Sequence, residues 1–344
     1  MKPNIFYHAT KELSQDAFLA WLLEWADESN YQHNPALSDT AKDFVRYLIG
    51  VNHEIEINSV EVRRQWKDID ITATINNEYF IIIEDKTNSG ERDKQLERYD
   101  KAGKKDAVEN NLILRPIYIK TGNESREVKA KLNKEWTIII RKELLAIMNK
   151  RPVADSIFND FLEYMTVIET QTNSYNLLSN IKSDWRAAEG FYISLEDHLK
   201  NPGWGYVSNQ SGGFLGLWYH EVTLGTHNIY IQIENNVNKD PDKNGIKVVV
   251  KISGGNRALQ QLIDVLSTLQ GIAAKEDIIL EKPRKFRVGA TSTLAIVKNA
   301  FPSEQEATFD VNEFISTLKK IENILNIYAE MNQTSGNVQE AQPL

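Results

Sequence analysis

Three side chains in the first third of the chain, Asp70, Glu84 and Lys86, have the types and spacing that metal-assisted phosphodiester hydrolysis requires. Side chains alternate along a strand, so Glu84 and Lys86 share one face while Asp85 points to the other. Asn76-Asn77 reads as a turn that makes the strand before it the antiparallel neighbour of the strand after it. Asp70 and Glu84 are then similarly far from the turn, and two carboxylates and one ammonium converge at one sheet edge. Mg²⁺ prefers oxygen ligands and is usually held by one or two carboxylates, water and substrate phosphate. When bound it acidifies a water and neutralises charge on a phosphorane-like transition state. A nearby lysine orients that water or stabilises the developing oxyanions.

A Glu-x-Lys step alone is weak in a chain that is 26% charged. Its position adds weight. It closes an apolar run at 80–83, where a charged pair is costly unless it has partners or a role. Glu91, Gln95 and Tyr99 follow at i, i+4 and i+8, one helical face that could look at the same site. Plainer readings stay open: a surface ion-pair cluster for Asp70, Glu84 and Lys86, and packing for Gln95 and Tyr99. Asp68 is a rival to Asp70, with which it would share a strand face.

The elements that must position these residues are legible in the periodicity. Residues 14–27 (SQDAFLAWLLEWAD) carry apolar side chains at helical spacing, with Ser14 able to cap. Residues 40–50 read as a second helix ended by Gly50. Alternation at 53–63, 68–75 and 79–84 predicts three strands. A charged helix is expected at 91–105, strands at 112–119 and 136–140, and a helix at 142–150. The strand-helix-strand step implies a right-handed crossover, so the sheet should be mixed and the fold class α/β, of mixed α+β type.

At this point the residues resemble a known group. Asp70, thirteen intervening residues, Glu84-Asp85-Lys86 and then Gln95-x-x-x-Tyr99 look like the PD-(D/E)XK nuclease superfamily, the Gln-x-x-x-Tyr element being similar to that of its recombination-exonuclease branch. Its αβββαβ core, a restriction-endonuclease-like fold, matches the order read above over roughly residues 10–145. The resemblance implies metal ligation by Asp70 and Glu84 with the main-chain carbonyl of Asp85, Lys86 as the catalytic lysine, and Gln95 and Tyr99 supporting the site or touching the nucleic-acid backbone. Glu12, ahead of a Leu-rich helix, is similar to a further family acid that completes the metal shell; helix-start electrostatics is its plainer role. Ile69 stands where the motif's proline would be. Mg²⁺ or Mn²⁺ is the implied cofactor and nucleic acid, DNA before RNA, the implied partner. Defence, restriction or repair are the roles the family suggests, and a homodimer, common among members that cut two strands, is left open.

The 344 residues suit two domains: 1–150 nuclease-like, 151–200 a helical connector, 201–330 an α+β domain, and a polar, disordered tail at 331–344. In the connector, helices are expected at 153–169 and 181–200 about a turn at 170–174. Beyond it, strands are expected within 204–253 and at 286–288, and helices at 257–269 and 311–328. The aromatics of 204–230 fit a core by default, or a stacking or ligand surface. The charge of −8 argues mildly against a protein that coats nucleic acid. Local basic rims still stand out: Lys86 to Lys105, with Arg92, Lys94, Arg98, Lys101 and Lys104 between, which also reads as a solvated helix face, and again Lys282, Arg284, Lys285 and Arg287. With no cysteine, disulfides and thiolate metal sites are excluded. No apolar run suits a membrane helix or signal peptide, so no membrane partner and a cytoplasmic location are expected. The run 240–245 (DPDKNG) resembles the start of a Ca²⁺ loop, but Lys251 stands where the closing Glu belongs, so a turn is expected. Two further readings keep the C-terminal half in play: a catalytically silent module that binds nucleic acid or protein, or a nuclease gated by a ligand or protein partner sensed there.

Overall fold

A computed structural model describes residues 2–50, 55–92, 94–132, 134–209, 212–237, 245–302 and 308–339. The Ca²⁺-like run 240–244 and the start of the alternation at 53–54 lie outside them. Two compact units are present, Met1–Glu124 with Val128–Thr170, and Ser125–Glu127 with Gln171–Leu344.

The first unit begins with α1 (Glu12–Glu24) and α2 (Pro35–Ile49). Ser14 lies inside α1 and does not cap it; Lys11 holds the cap position without a side-chain bond. Helix α2 starts earlier than its apolar periodicity suggests, because Pro35 suits a first turn and Asn34 caps it by accepting from Leu37 N–H at 3.2 Å. It ends at Gly50, whose φ of 70° is the left-handed conformation that closes helices.

Strands β1 (Val60–Trp66), β2 (Ile69–Ile75) and β3 (Tyr79–Lys86) form an antiparallel meander. Asn76 and Asn77 have φ of 53° and 52°, which suits the twist of a two-residue hairpin. Helix α3 (Gln95–Glu109) then crosses to β4 (Ile113–Lys120), parallel to β3; α4 (Arg126–Lys131), β5 (Thr137–Ile140), α5 (Arg141–Met148) and α6 (Ser156–Thr172) follow. The sheet order is β1-β2-β3-β4-β5. This is the mixed sheet and αβββαβ order expected from the sequence. Every residue of β3 is buried, because α1, α2, α5 and α6 contribute to an apolar cluster with one face and α3 to a cluster with the other. Helix α3 lies close to the sheet at Gly103, where a Cβ would come within 3.0 Å of Ile82 and Leu114.

In the second unit, the helix expected at 181–200 is two helices, α7 (Leu178–Ser183) and α8 (Trp185–Leu195). Asp184 breaks the run by capping α8, accepting from Ala187 N–H at 3.0 Å. Strands β6 (Gly203–Val207), β7 (Phe214–Leu224), β8 (His227–Asn235) and β9 (Lys247–Ser253) precede α9 (Leu259–Ala273), β10 (Leu280–Glu281) and β11 (Thr291–Val297). They make an antiparallel sheet of order β10-β11-β9-β8-β7-β6. Residues 286–288, expected as a strand, are irregular; the strand lies at β11, whose Leu294, Ala295 and Val297 fill the core. Helix α10 (Val311–Gln339) runs past the 331 boundary expected for a disordered tail. No helix among the described residues is long and apolar enough to cross a membrane.

Candidate active site

The antiparallel ladder pairs Ile71 with Ile83, so one step on Asp70 stands opposite Glu84. Asp70 is half-buried, and its Oδ2 accepts from the Asp85 main-chain N–H at 3.0 Å. Glu84 is fully buried and Lys86 nearly so. Lys86 Nζ donates to Glu84 Oε1 and reaches the Asp85 carbonyl at 3.4 Å. The structure therefore brings Asp70, Glu84 and Lys86 together at the C-terminal end of β3. They are not a surface ion-pair cluster, since two of the three are removed from water.

Burial drives the electrostatics. It pushes the Glu84 carboxyl up to about 8, with the charge of Asp70 adding to the rise and Lys86 only partly offsetting it. At Lys86 burial pulls the other way but loses to the bond and charge of Glu84, so the ammonium is held above its ordinary value. Lys86 is cationic in this bond, and Glu84 ionises less readily than an ordinary carboxyl because burial and Asp70 oppose its charge. Glu84 Oε2 has no donor.

Asp85 points to the opposite side of the strand, as alternation requires, and is wholly buried there. Its Oδ1 accepts from Gln15 Nε2 at 2.5 Å, and Gln15 Oε1 accepts from Thr121 Oγ1 at 2.8 Å. Asp16 stands beside it; burial first and neighbouring carboxylates second push both acids up, Asp16 to about 7. Sequence reasoning passed over Gln15 and Asp16. The available signal was a polar pair three and four residues after Glu12, interrupting the face of α1 that its apolar neighbours bury. Lys120 was passed over too: it ends β4 in register with Lys86, is 2% exposed, and donates to the Ser89 carbonyl at 2.5 Å.

Other expected residues sit differently. Glu12 accepts from Thr87 N–H at 3.2 Å and from the Ser89 hydroxyl at 2.5 Å. Burial would raise its carboxyl, yet these bonds and the charges of Lys86 and Lys120 hold it below its ordinary value. Helix α3 starts at Gln95, four residues late, so Glu91 lies outside it and accepts from Leu96 N–H instead of continuing a helical face. Gln95 Nε2 donates to Tyr99 Oη at 3.0 Å, and Tyr99 Oη donates to the Asp68 carbonyl at 2.6 Å. That bond ties α3 to the turn before β2. Asp68 is no strand neighbour of Asp70, because it is exposed in that turn with φ of 66°. Arg92, Lys94 and Lys101 are exposed along the basic rim.

Among the described residues no three His, Asp or Glu side chains converge as a wholly protein-held metal site. The oxygens present nonetheless fit a hard divalent cation: Asp70 and Glu84 repel each other, Glu84 Oε2 lacks a donor, and no soft ligand is nearby. Such an ion usually keeps several waters, so two carboxylates and a carbonyl suffice.

A family model described as the PD-(D/E)XK nuclease superfamily matches residues 3–188, more than half of the chain. No curated protein and no solved structure matches the chain.

Proposed function

The chain belongs to the PD-(D/E)XK nuclease superfamily, and we propose that it hydrolyses phosphodiester bonds, in DNA before RNA, with Mg²⁺ or Mn²⁺ at Asp70 and Glu84. The observation that carries this reading is the buried Lys86–Glu84 pair set beside the half-open carboxylate of Asp70. A divalent ion held there by the two carboxylates and the Asp85 carbonyl would acidify a water and offset the charge of the phosphoryl transition state. Glu84 would act as the carboxylate, any proton on it passing to solvent water, with Oε2 free to face the ion. Lys86, released in part from Glu84 Oε1, would hold the attacking water or a non-bridging phosphate oxygen. Gln15 fixes the strand that carries the motif, through Asp85, and Tyr99 fixes the turn leading to Asp70. Arg92, Lys94 and Lys101 would meet the flanking phosphates. Roles in defence, restriction or repair, a cytoplasmic location and a homodimeric state rest on the family alone.

The test is incubation with supercoiled plasmid, linear duplex, single-stranded DNA and RNA, in Mg²⁺, Mn²⁺ or EDTA, beside Lys86→Ala. Metal-dependent cutting that is lost in the variant is the expected result. Equal inertness of both proteins on every substrate, or cutting in EDTA, overturns it.

A further inference from the structure

The second unit contains an open cavity of about 720 Å³, within the range of small-molecule sites. Its floor is the outer face of the antiparallel sheet. Trp218 on β7 pairs with Gln232 on β8, and Tyr230 lies two residues before Gln232, so all three project to the same side. The alternating residues Leu217, Ile229, Ile231 and Ile233 project to the other and fill the core. Trp218 and Tyr230 are half-buried, with ring surface left in the cavity.

Gln232 is the telling residue. It is only 6% exposed, yet it lines the cavity and its amide is not among the buried unpartnered groups, so the amide opens into that space. An amide at a cavity wall, with its donor and acceptor open to that space, is offered to whatever fills it. Two features set the neighbouring indole. At residue 203 a Cβ would lie 2.6 Å from Trp218 Nε1 and 2.1 Å from Glu127 Oε2, so glycine there lets the carboxylate and the indole N–H approach one another. Just after Trp218, β7 bulges between Tyr219 and Val222, and His220 takes φ of 53° with its Nε2 3.0 Å from Asn326 Oδ1. Bulges of this kind re-aim side chains beside binding sites.

We infer that this cavity binds a nucleobase, with Trp218 and Tyr230 as the stacking surface and Gln232 reading a donor–acceptor edge of the base. Aromatic faces stack any unpaired base, and a Gln amide offers the adjacent donor and acceptor that base edges match. The rim charges set the form of the ligand. Glu127 and Glu221 outnumber Lys200 among the cavity's charged residues, which disfavours a phosphate lodged in the pocket itself. A neutral base or nucleoside, free or borne by a single strand whose phosphates stay outside, fits that balance.

The test uses the full chain in EDTA, so that no cutting enters the readout and failure leaves the nuclease reading untouched. Equilibrium dialysis is run with adenosine, guanosine, cytidine, thymidine and uridine, and with short single strands beside an abasic strand. Saturable binding of at least one nucleoside, or of a base-bearing strand but not the abasic one, is expected, the former naming a free base and the latter a strand as the source. Trp218→Leu and Gln232→Leu should each weaken it about tenfold or more, while Trp218→Phe, which keeps a ring, should retain most of it. Melting curves on every variant separate lost binding from lost fold. No saturable binding by any nucleoside or strand, equal binding of the abasic strand, or binding indifferent to both substitutions in folded protein overturns the inference.

Discussion

Gln15 donates through Nε2 to Asp85 Oδ1 at 2.5 Å, across seventy residues of chain, and its own Oε1 is held by Thr121. The acid that sits between Glu84 and Lys86 in the motif is thus anchored by α1, on the far side of the strand from the candidate chemistry.

Removing that anchor leaves the buried Asp85 carboxyl short of a hydrogen-bond partner. Gln15→Ala is expected to lower stability by about 1–3 kcal/mol, read by urea unfolding at pH 7. An unchanged midpoint would show that the bridge adds nothing to the fold.

At the candidate centre the effects on activity and stability should separate. Glu84→Gln keeps a hydrogen-bond acceptor for Lys86 but removes the charge beside that buried ammonium, so in EDTA its stability should equal or fall below that of the unaltered chain. Its metal-dependent cutting should fall by about a hundredfold or more. Cleavage assays paired with melting curves check both, and a variant that cuts normally removes Glu84 from the mechanism.

The second unit predicts an acid limb. Burial would raise the Glu234 carboxyl, but Lys251 and Lys247 outweigh it and hold the group below 4.5. Its folded pKa is therefore depressed. The stability it supplies is fully present above about pH 4.5 and is lost as pH falls through the folded value. Unfolding free energies at pH 7, 5 and 3.5 should drop more steeply in the unaltered chain than in Glu234→Gln. Parallel slopes would mean that the lysines do not discriminate between the folded and unfolded carboxylate.

The β2–β3 turn carries a side-chain clamp as well as a conformation. Asn76 accepts from the N–H groups of Asn58 and Ser59 at 2.9 and 3.1 Å and donates to the Glu56 carbonyl at 2.7 Å. Asn76→Gly preserves the positive φ and loses the clamp, and should cost about 1–2 kcal/mol. Asn76→Ala should cost more, because alanine also resists φ of 53°. Reversal of that order in thermal melts would place the weight of the turn elsewhere.

Much of this protein is written at short range. Strand alternation alone puts Glu84 and Lys86 on one side of β3 and Asp85 on the other. The Asn-Asn turn alone makes β2 and β3 antiparallel, and from that Asp70 falls opposite Glu84. Gly50 marks the end of α2 for a local reason, its left-handed φ. Such features depend on residues a few positions apart, which is the range over which periodicity and turn chemistry act. One short-range signal was missed: the helix 181–200 splits because the Asp184 side chain accepts from the Ala187 N–H three residues on. What depended on packing was invisible. The third strand in the order of the second sheet, β9, pairs with 291–297 and not with the equally plausible 286–288, because Leu294 and Ala295 complete the core. Tyr99 turns to the Asp68 carbonyl, and Gln15 and Asp16 reach Asp85, only because the sheet brings distant segments together. Nor does any sequence signal mark the Gln232 amide at the cavity wall: which side chains line a cavity is a property of the surroundings, and those exist only once the sheet has formed.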